Sequence, residues 1–197
     1  MSYWEEKNQH PDPDAYDGWL DKYAGRLSAD VLDLGCGRGV NLPSLLKFGA
    51  RVTAADLSRT AVQDVWSLYG CRLRGTDCLD MRDGLPYADE AFDVVVADLS
   101  LHYFTWEETL RIIADIRRVL RPEGFLIARV HSMANLDRSN AEEIEPGYYV
   151  AYGYPRRYFT LEEIRALFGG WRSCEAGETV AYRFGRTKQV IELEACK

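Results

Sequence analysis

The chain has little of what disulfide, metal or membrane chemistry requires. Its five cysteines, Cys36, Cys71, Cys78, Cys174 and Cys196, are odd in number and form no CxxC pair, which argues against a disulfide framework and a cysteine zinc site. The three histidines, His10, His102 and His131, are scattered without a helical pair or a facial-triad pattern, so no metal is expected. No stretch approaches the roughly 18 uninterrupted apolar residues of a membrane span. The acidic, aromatic segment from Met1 to Leu20 lacks the apolar centre of a signal peptide, and a cytoplasmic location is the default expectation. Basic charge is scarce too. A net charge of -7 and a pI near 5.1 leave no sequence-wide footprint for phosphates, which disfavours nucleic acid and points to a small-molecule partner.

What is present is a core and a rhythm. With 47% apolar residues over 197 positions, the chain fits one domain, 1–197, able to bury roughly 70% of its unfolded surface. Apolar runs at Val31 to Leu34, Val52 to Ala55, Phe92 to Ala97 and Phe125 to Val130 read as strands buried on both faces, with a shorter strand expected at Cys71 to Arg74. Between them, Leu42 to Phe48, Arg59 to Tyr69 and Trp106 to Leu120 carry helical spacing. Ser28 to Asp30 and Arg121 to Gly124 supply punctuation at element ends. This alternation predicts an α/β, Rossmann-like doubly wound sheet, mostly parallel, with helices on both faces. Residues 1–28 are expected as an N-terminal cap or helix. Residues 133–159 break the rhythm with polar and tyrosine-rich sequence and are expected as a lid insertion. Thr160 with Glu163 has the form of a capping box opening a helix at Leu161 to Phe168, and the runs Ser173 to Phe184 and Arg186 to Glu194 are expected to pair antiparallel at the sheet edge.

The run Val31-Leu32-Asp33-Leu34-Gly35-Cys36-Gly37-Arg38-Gly39 joins a buried strand to a helix through three glycines, a geometry that lets backbone approach a ligand. Its spacing is GxGxG, whereas a dinucleotide fingerprint is GxGxxG, and Asp33 precedes the first glycine. An acid there repels a pyrophosphate and suits a ligand carrying an ammonium and a sulfonium. Asp56, closing Ala54-Ala55-Asp56, stands where a carboxylate can accept from both hydroxyls of a ribose. Asp80 could accept from an adenine amino group while the Met81 N–H donates to the ring, with Asp77 the competing acid. Asp33, Asp56 and Asp80 could each instead be a helix cap.

Together these pieces resemble the class I S-adenosylmethionine-dependent methyltransferases. Asp33-Leu34-Gly35-Cys36-Gly37 is similar to that family's first motif, Asp56 to its ribose acid, and Leu85 to Asp93 to its lead into the fourth strand. Ala97 to Phe104, Arg129 to Ser132 and Arg157-Tyr158-Phe159 resemble bacterial small-molecule methyltransferases of the tellurite-resistance type. The resemblance implies a seven-stranded sheet with an antiparallel C-terminal edge strand. It also implies S-adenosyl-L-methionine as cofactor with S-adenosyl-L-homocysteine as product, cofactor contacts from Asp33, Gly35, Cys36, Gly37, Asp56, Leu57, Asp80, Met81 and Asp98, and methyl transfer by in-line displacement to a small-molecule acceptor. Competing expectations are a nicotinamide oxidoreductase on the related fold and a cofactor-binding regulatory module without turnover.

On the acceptor side, His102 is the candidate general base, because an imidazole's ordinary pKa suits proton removal at neutral pH; a packed or capping histidine is the alternative. Tyr103, Arg129, Tyr149 and Arg157 are the candidate substrate residues, the arginines for an anionic acceptor, with solvated surface arginines the alternative. Tyr3, Trp4, Tyr16 and Trp19 could surround a cation with ring faces or simply belong to the core.

Overall fold

A computed structural model of the chain describes residues 17–151, 153–183 and 185–197. Tyr3, Trp4, His10, Tyr16 and Tyr152 lie outside the described residues.

The expected strands and helices form close to their expected bounds. Strands β1 (Asp30–Leu34), β2 (Arg51–Asp56), β3 (Gly75–Cys78), β4 (Phe92–Asp98), β5 (Leu120–His131), β9 (Ser173–Arg183) and β10 (Arg186–Cys196) make one sheet in the order β3-β2-β1-β4-β5-β10-β9. Helices α1 (Leu42–Lys47), α2 (Arg59–Tyr69), α3 (Trp106–Val119) and α4 (Leu161–Leu167) cover it. The covering is two-sided because neighbouring residues of the central strands face opposite ways. Leu32, Leu34, Val95 and Ala97 pack with Ile112, Ile113, Ile116 and Ile164 on one face. Val31, Val94 and Val96 pack with Leu42, Leu45, Val65 and Trp19 on the other.

Strand order reverses between β1 and β4, both parallel to β1's neighbour β2, so the carboxyl ends of β1 and β4 border the crevice where such sheets bind ligands. β10 runs antiparallel to both β5 and β9. The antiparallel strand therefore stands one place in from the edge, and β9 is the edge itself.

Two expectations are corrected. The third strand is Gly75–Cys78 and not Cys71 to Arg74, because Gly70–Arg72 is used in a 3-10 turn closing α2, and pairing with β2 begins only at Thr53↔Gly75. Arg121 to Gly124 does not end an element. It is an irregularity inside β5, where register jumps from Phe92↔Leu120 to Val94↔Phe125 and Glu123 takes φ 64°. The 133–159 insertion holds a second, antiparallel sheet of β6 (Ala141–Glu145), β7 (Tyr148–Ala151) and β8 (Tyr154–Arg157). In the N-terminal segment, Asp21–Arg26 is a 3-10 turn whose flanking Trp19, Leu20 and Leu27, with Tyr23 inside it, join the core. Among the described residues no helix is long and apolar enough to cross a membrane.

Candidate functional site

The glycine loop leaves β1 at the reversal point and is stitched in place by its neighbours. Gly35 and Cys36 both donate backbone N–H groups to the Ala55 carbonyl, at 2.7 and 2.9 Å. Gly35 has φ 77°, and a Cβ there would run into Cβ and Oγ of Ser100, whose hydroxyl donates to the Leu34 carbonyl at 2.7 Å. Gly37 also has positive φ, 51°, but a Cβ on it would meet nothing within 4 Å. One glycine is demanded by packing, the other by backbone conformation on the open side of the loop. Asp56 braces that open side: one carboxylate oxygen accepts from Gly37 N–H and the other from Ser58 N–H, both at 2.8 Å. Ser58 in turn caps α2 by accepting from Ala61 N–H.

Asp33, inside β1, is 1% exposed, and neither carboxylate oxygen has a hydrogen-bond partner. Burial, then the negative charge of Asp98, push its carboxyl up to about 7, offset in part by the Asn41 side-chain amide, which lies close without reaching hydrogen-bond geometry, and by the Arg183 charge. A buried carboxylate with unused acceptors is an unmet demand for a cation. An ammonium group meets it and a pyrophosphate does not, so the residues fit the amino acid end of an amino acid nucleoside.

Asp98, at the end of β4, is by contrast saturated. Arg129 Nε and an Nη donate to its two oxygens at 2.7 and 3.0 Å, and Arg183 adds an ion pair from β9. Burial alone would raise the Asp98 carboxyl, but these two guanidinium groups hold it below the usual range. Arg129 also donates to Asp17 at 2.6 Å and lies 4.4 Å from the Trp19 ring centre, while the Trp19 indole N–H donates to Asn41 Oδ1 at 3.1 Å. The expectation of Arg129 as a substrate anchor is corrected: its charge is committed to Asp98, Asp17 and Trp19, because three acceptors and an aromatic face converge on it.

The remaining cofactor candidates flank the loop. Leu57, 39% exposed, follows Asp56 at the end of β2. The Met81 methyl lies 3.4 Å from where a Gly35 Cβ would stand. Cys36 is buried, and burial pushes its thiol well up, which removes it as a nucleophile. Asp80 caps the 3-10 turn Met81–Asp83 through Arg82 N–H and pairs with the Arg82 guanidinium, which holds its carboxyl below the ordinary value. Its competitor Asp77 accepts from the Tyr87 hydroxyl at 2.9 Å.

Beyond β4 and β5 lies a ring of aromatics. His102 is fully buried, with ring centres of Tyr103 at 4.2 Å and His131 at 4.1 Å. Tyr103 continues to Tyr154 in β8, and His131 to Tyr158 and on to Tyr149 in β7. His102 and Tyr103 are thus linked through ring contacts to Tyr149, which the insertion itself contributes. Arg157 is not available to a ligand there. It is 1% exposed, donates to the carbonyls of Phe104 and Pro146, pairs with Glu145, and stacks near Trp106, Tyr148 and Phe159. This corrects its reading as a substrate residue: six carbonyl, carboxylate and ring partners make it the clamp of the insertion. Arg183, His131, Asn135 and Glu145 were not singled out by sequence reasoning. Arg183 had a usable signal, a cation at an inward-facing position of an alternating strand.

Comparison with known proteins agrees with this geometry. The methyltransferase domain family matches residues 32–128. The sterol 4-C-methyltransferase strm-1 of Caenorhabditis elegans is 28% identical over 157 residues, 74% of this chain and 45% of that protein. The chain spans about half the length of the curated relatives it matches first. Among solved structures, the Burkholderia thailandensis 1,6-didemethyltoxoflavin-N1-methyltransferase, with bound 1,6-didemethyltoxoflavin and S-adenosylhomocysteine, superposes with a TM-score of 0.65 at 23% identity, covering 92% of this chain and 81% of that one. TehB from Haemophilus influenzae superposes with a TM-score of 0.70 at 17% identity, over 99% of this chain and 66% of that one. These two likenesses are of fold.

Proposed function

We propose that the chain is a class I S-adenosylmethionine-dependent methyltransferase, as the methyltransferase domain match over residues 32–128 supports, and that it transfers a methyl group to a small-molecule acceptor held near the aromatic rings of His102, Tyr103 and Tyr149. The observation that carries this reading is Asp33, a buried carboxylate without a partner, beside a glycine loop braced by Asp56. Asp33 would take the ammonium of S-adenosylmethionine, Asp56 the ribose, Asp80 the adenine amino group and the Met81 N–H the adenine ring, with Leu57 beside the nucleoside. The cofactor supplies a methyl group already activated on sulfur. What remains for the protein is to exclude water and hold the acceptor atom in line, about 3 to 3.5 Å away. Buried rings of His102, Tyr149 and Tyr158, with the part-buried ring of Tyr103, would supply the dry surface. Where the acceptor atom must lose a proton, His102 would be the base.

A net charge of -7 supports a small acceptor over a polynucleotide, and the unpaired cysteine pattern supports a cytoplasmic setting. Calorimetry with S-adenosylhomocysteine and, separately, with NADH tests the cofactor: binding of the first alone is expected, and binding of NADH alone overturns the reading. A transfer assay with labelled cofactor across small thiols, amines, carboxylates, hydroxyls and oxyanions such as tellurite tests the acceptor. His102→Ala is expected to slow hydroxyl and amine acceptors at least 10²-fold, on the order of general-base catalysis, while leaving thiolates and oxyanions much less affected.

A further inference from the structure

The charged side chains that meet at the carboxyl edge of the sheet do not balance. Asp33 of β1 pairs in register with Val96 of β4, so Asp98, two residues on, stands on the same face of the neighbouring strand. Asp98 pairs in register with Arg129 of β5, and Arg183 reaches it from the end of β9, 85 residues away. Arg129 is answered twice, by Asp98 at 2.7 and 3.0 Å and by Asp17 at 2.6 Å. Arg183, 4% exposed, is answered by Asp98. Asp17, Asp33 and Asp98 against Arg129 and Arg183 leave one negative charge over, and it falls on Asp33, whose oxygens have no hydrogen-bond partner. Asp56 of β2, the next acid, already accepts from two backbone N–H groups. Burial, Asp98 and Asp56 push the Asp33 carboxyl up, while the Asn41 amide and the Arg183 charge pull it down. The buried Cys36 thiol is the other titratable group beside Asp33.

We propose that Arg183 is a positioning residue for the cofactor: by balancing Asp98 it leaves Asp33 as the uncompensated carboxylate of the crevice, so that one cation, the ammonium of an amino acid nucleoside, is drawn to one place. Arg129 does not suffice, because its charge is shared between Asp98 and Asp17. Without Arg183 the cluster carries a second negative charge in excess, and a proton on Asp33 is the simplest way to lose it. Asp33 would then keep its proton to higher pH and have to release it whenever the ammonium enters. The role in cofactor binding rests on the reading of the chain as a methyltransferase; the charge balance between Arg183, Asp98 and Asp33 does not.

Carbon-13 NMR of labelled aspartate side chains in the full chain, without added ligand, reads the ionisation of Asp33, its signal identified by loss in Asp33→Asn. Arg183→Met is expected to raise the pH of half-ionisation by about one unit or more, and Arg183→Lys, which keeps the charge, to stay within about half a unit of wild type. Asp98→Asn removes the opposing charge and is expected to move the midpoint down, which tests the same balance if Arg183→Met does not fold. A midpoint unmoved in either variant overturns the proposal. Calorimetry with S-adenosylhomocysteine at pH 8, in buffers of different ionisation enthalpy, counts the proton released on binding. A carboxyl with its midpoint near 7 releases about 0.1 proton per molecule bound, and one raised to about 8 releases about 0.5, the result expected for Arg183→Met. If Arg183 were structural only, Arg183→Met would melt lower and leave both the midpoint and the proton count as in wild type. Failure of the wild type to bind S-adenosylhomocysteine would instead remove the methyltransferase reading, with the Asp33 titration still deciding the charge balance.

Discussion

Asp33 carries the sharpest single-residue consequences, because its folded-state carboxyl sits at about 7 against an ordinary value of 3.8. Between those values the folded chain holds a proton that the unfolded chain has lost, so this group's contribution makes stability fall as pH rises from about 4 to about 7 and level off above. A cation bound against Asp33 favours the ionised form, so loading the cofactor below pH 7 should expel a proton. Affinity for S-adenosylhomocysteine is therefore expected to weaken as pH is lowered from 8 to 6, with calorimetry in buffers of different ionisation enthalpy showing the released proton. Asn at this position removes the charge at nearly constant shape. Asp33→Asn should weaken S-adenosylhomocysteine binding about 100-fold, the size of a charge-assisted hydrogen bond, and abolish its pH dependence. The same variant should melt higher than wild type at pH 8 in the absence of cofactor, since an uncompensated buried charge is gone. A lower melting temperature together with undiminished binding would show that Asp33 is a structural residue only.

At the scale of elements, Arg157 is the most heavily partnered tie between the insertion and the rest of the chain among the described residues. Arg157 closes β8 onto the Pro146 carbonyl and Glu145 of the same small sheet and onto the Phe104 carbonyl ahead of α3. Glu145 also accepts from the Trp106 backbone N–H at 2.6 Å, adding an anchor at a helix start already capped by Thr105 and Glu108. Arg157→Met should leave the Phe104 and Pro146 carbonyls without their donor and part-exposed Glu145 without its cation, and cost about 1 to 3 kcal/mol locally. Hydrogen exchange measured by mass spectrometry is expected to speed up across 141–157 and at the start of α3, with β1 and β4 unchanged. Uniform acceleration over the whole chain would mean that the insertion is part of the global core.

What was readable beforehand follows from how local each signal is. The strands at Val31, Val52, Phe92 and Phe125 and the capping box at Thr160 are written in adjacent residues, and they formed as expected. The insertion's sheet was not readable, because its strands are only four or five residues long, turn at Gly147 and Gly153, and include Pro155, which argues against a strand. Pro155 is tolerated because β8 is an edge of that small sheet. For the site, GxGxG with Asp33 and Asp56 was legible, since one loop and the next strand end carry it. The fates of Arg129 and Arg157 were not, because their partners lie 112 and 31 residues from Arg129 and 12 and 53 residues from Arg157. A charged residue's partner cannot be read from its own neighbourhood.

Across the whole molecule, that long-range pairing is what joins the chain's ends to the cofactor crevice. Asp17, Asp98, Arg129 and Arg183 come from the N-terminal segment, β4, β5 and β9, and they form one buried chain of alternating charge next to Asp33. Every member but Asp17 is nearly without solvent, so the cost of removing a link depends on what it leaves behind. Arg129→Met deprives both Asp98 and Asp17 of their main cation and is expected to destabilise the fold by about 3 to 5 kcal/mol. For a chain of this size that corresponds to a melting temperature lower by roughly 6 to 20 °C. Asp17→Asn sits at the solvent edge, where its side chain is 19% exposed, and should cost no more than about 1 kcal/mol. Urea denaturation followed by tryptophan fluorescence measures both, with Trp19 reporting the Arg129 contact itself. If Arg129 instead served the acceptor, its removal would leave the denaturation midpoint in place and raise KM alone. A large loss of stability in Arg129→Met beside a small one in Asp17→Asn is the pattern that a buried structural clamp requires.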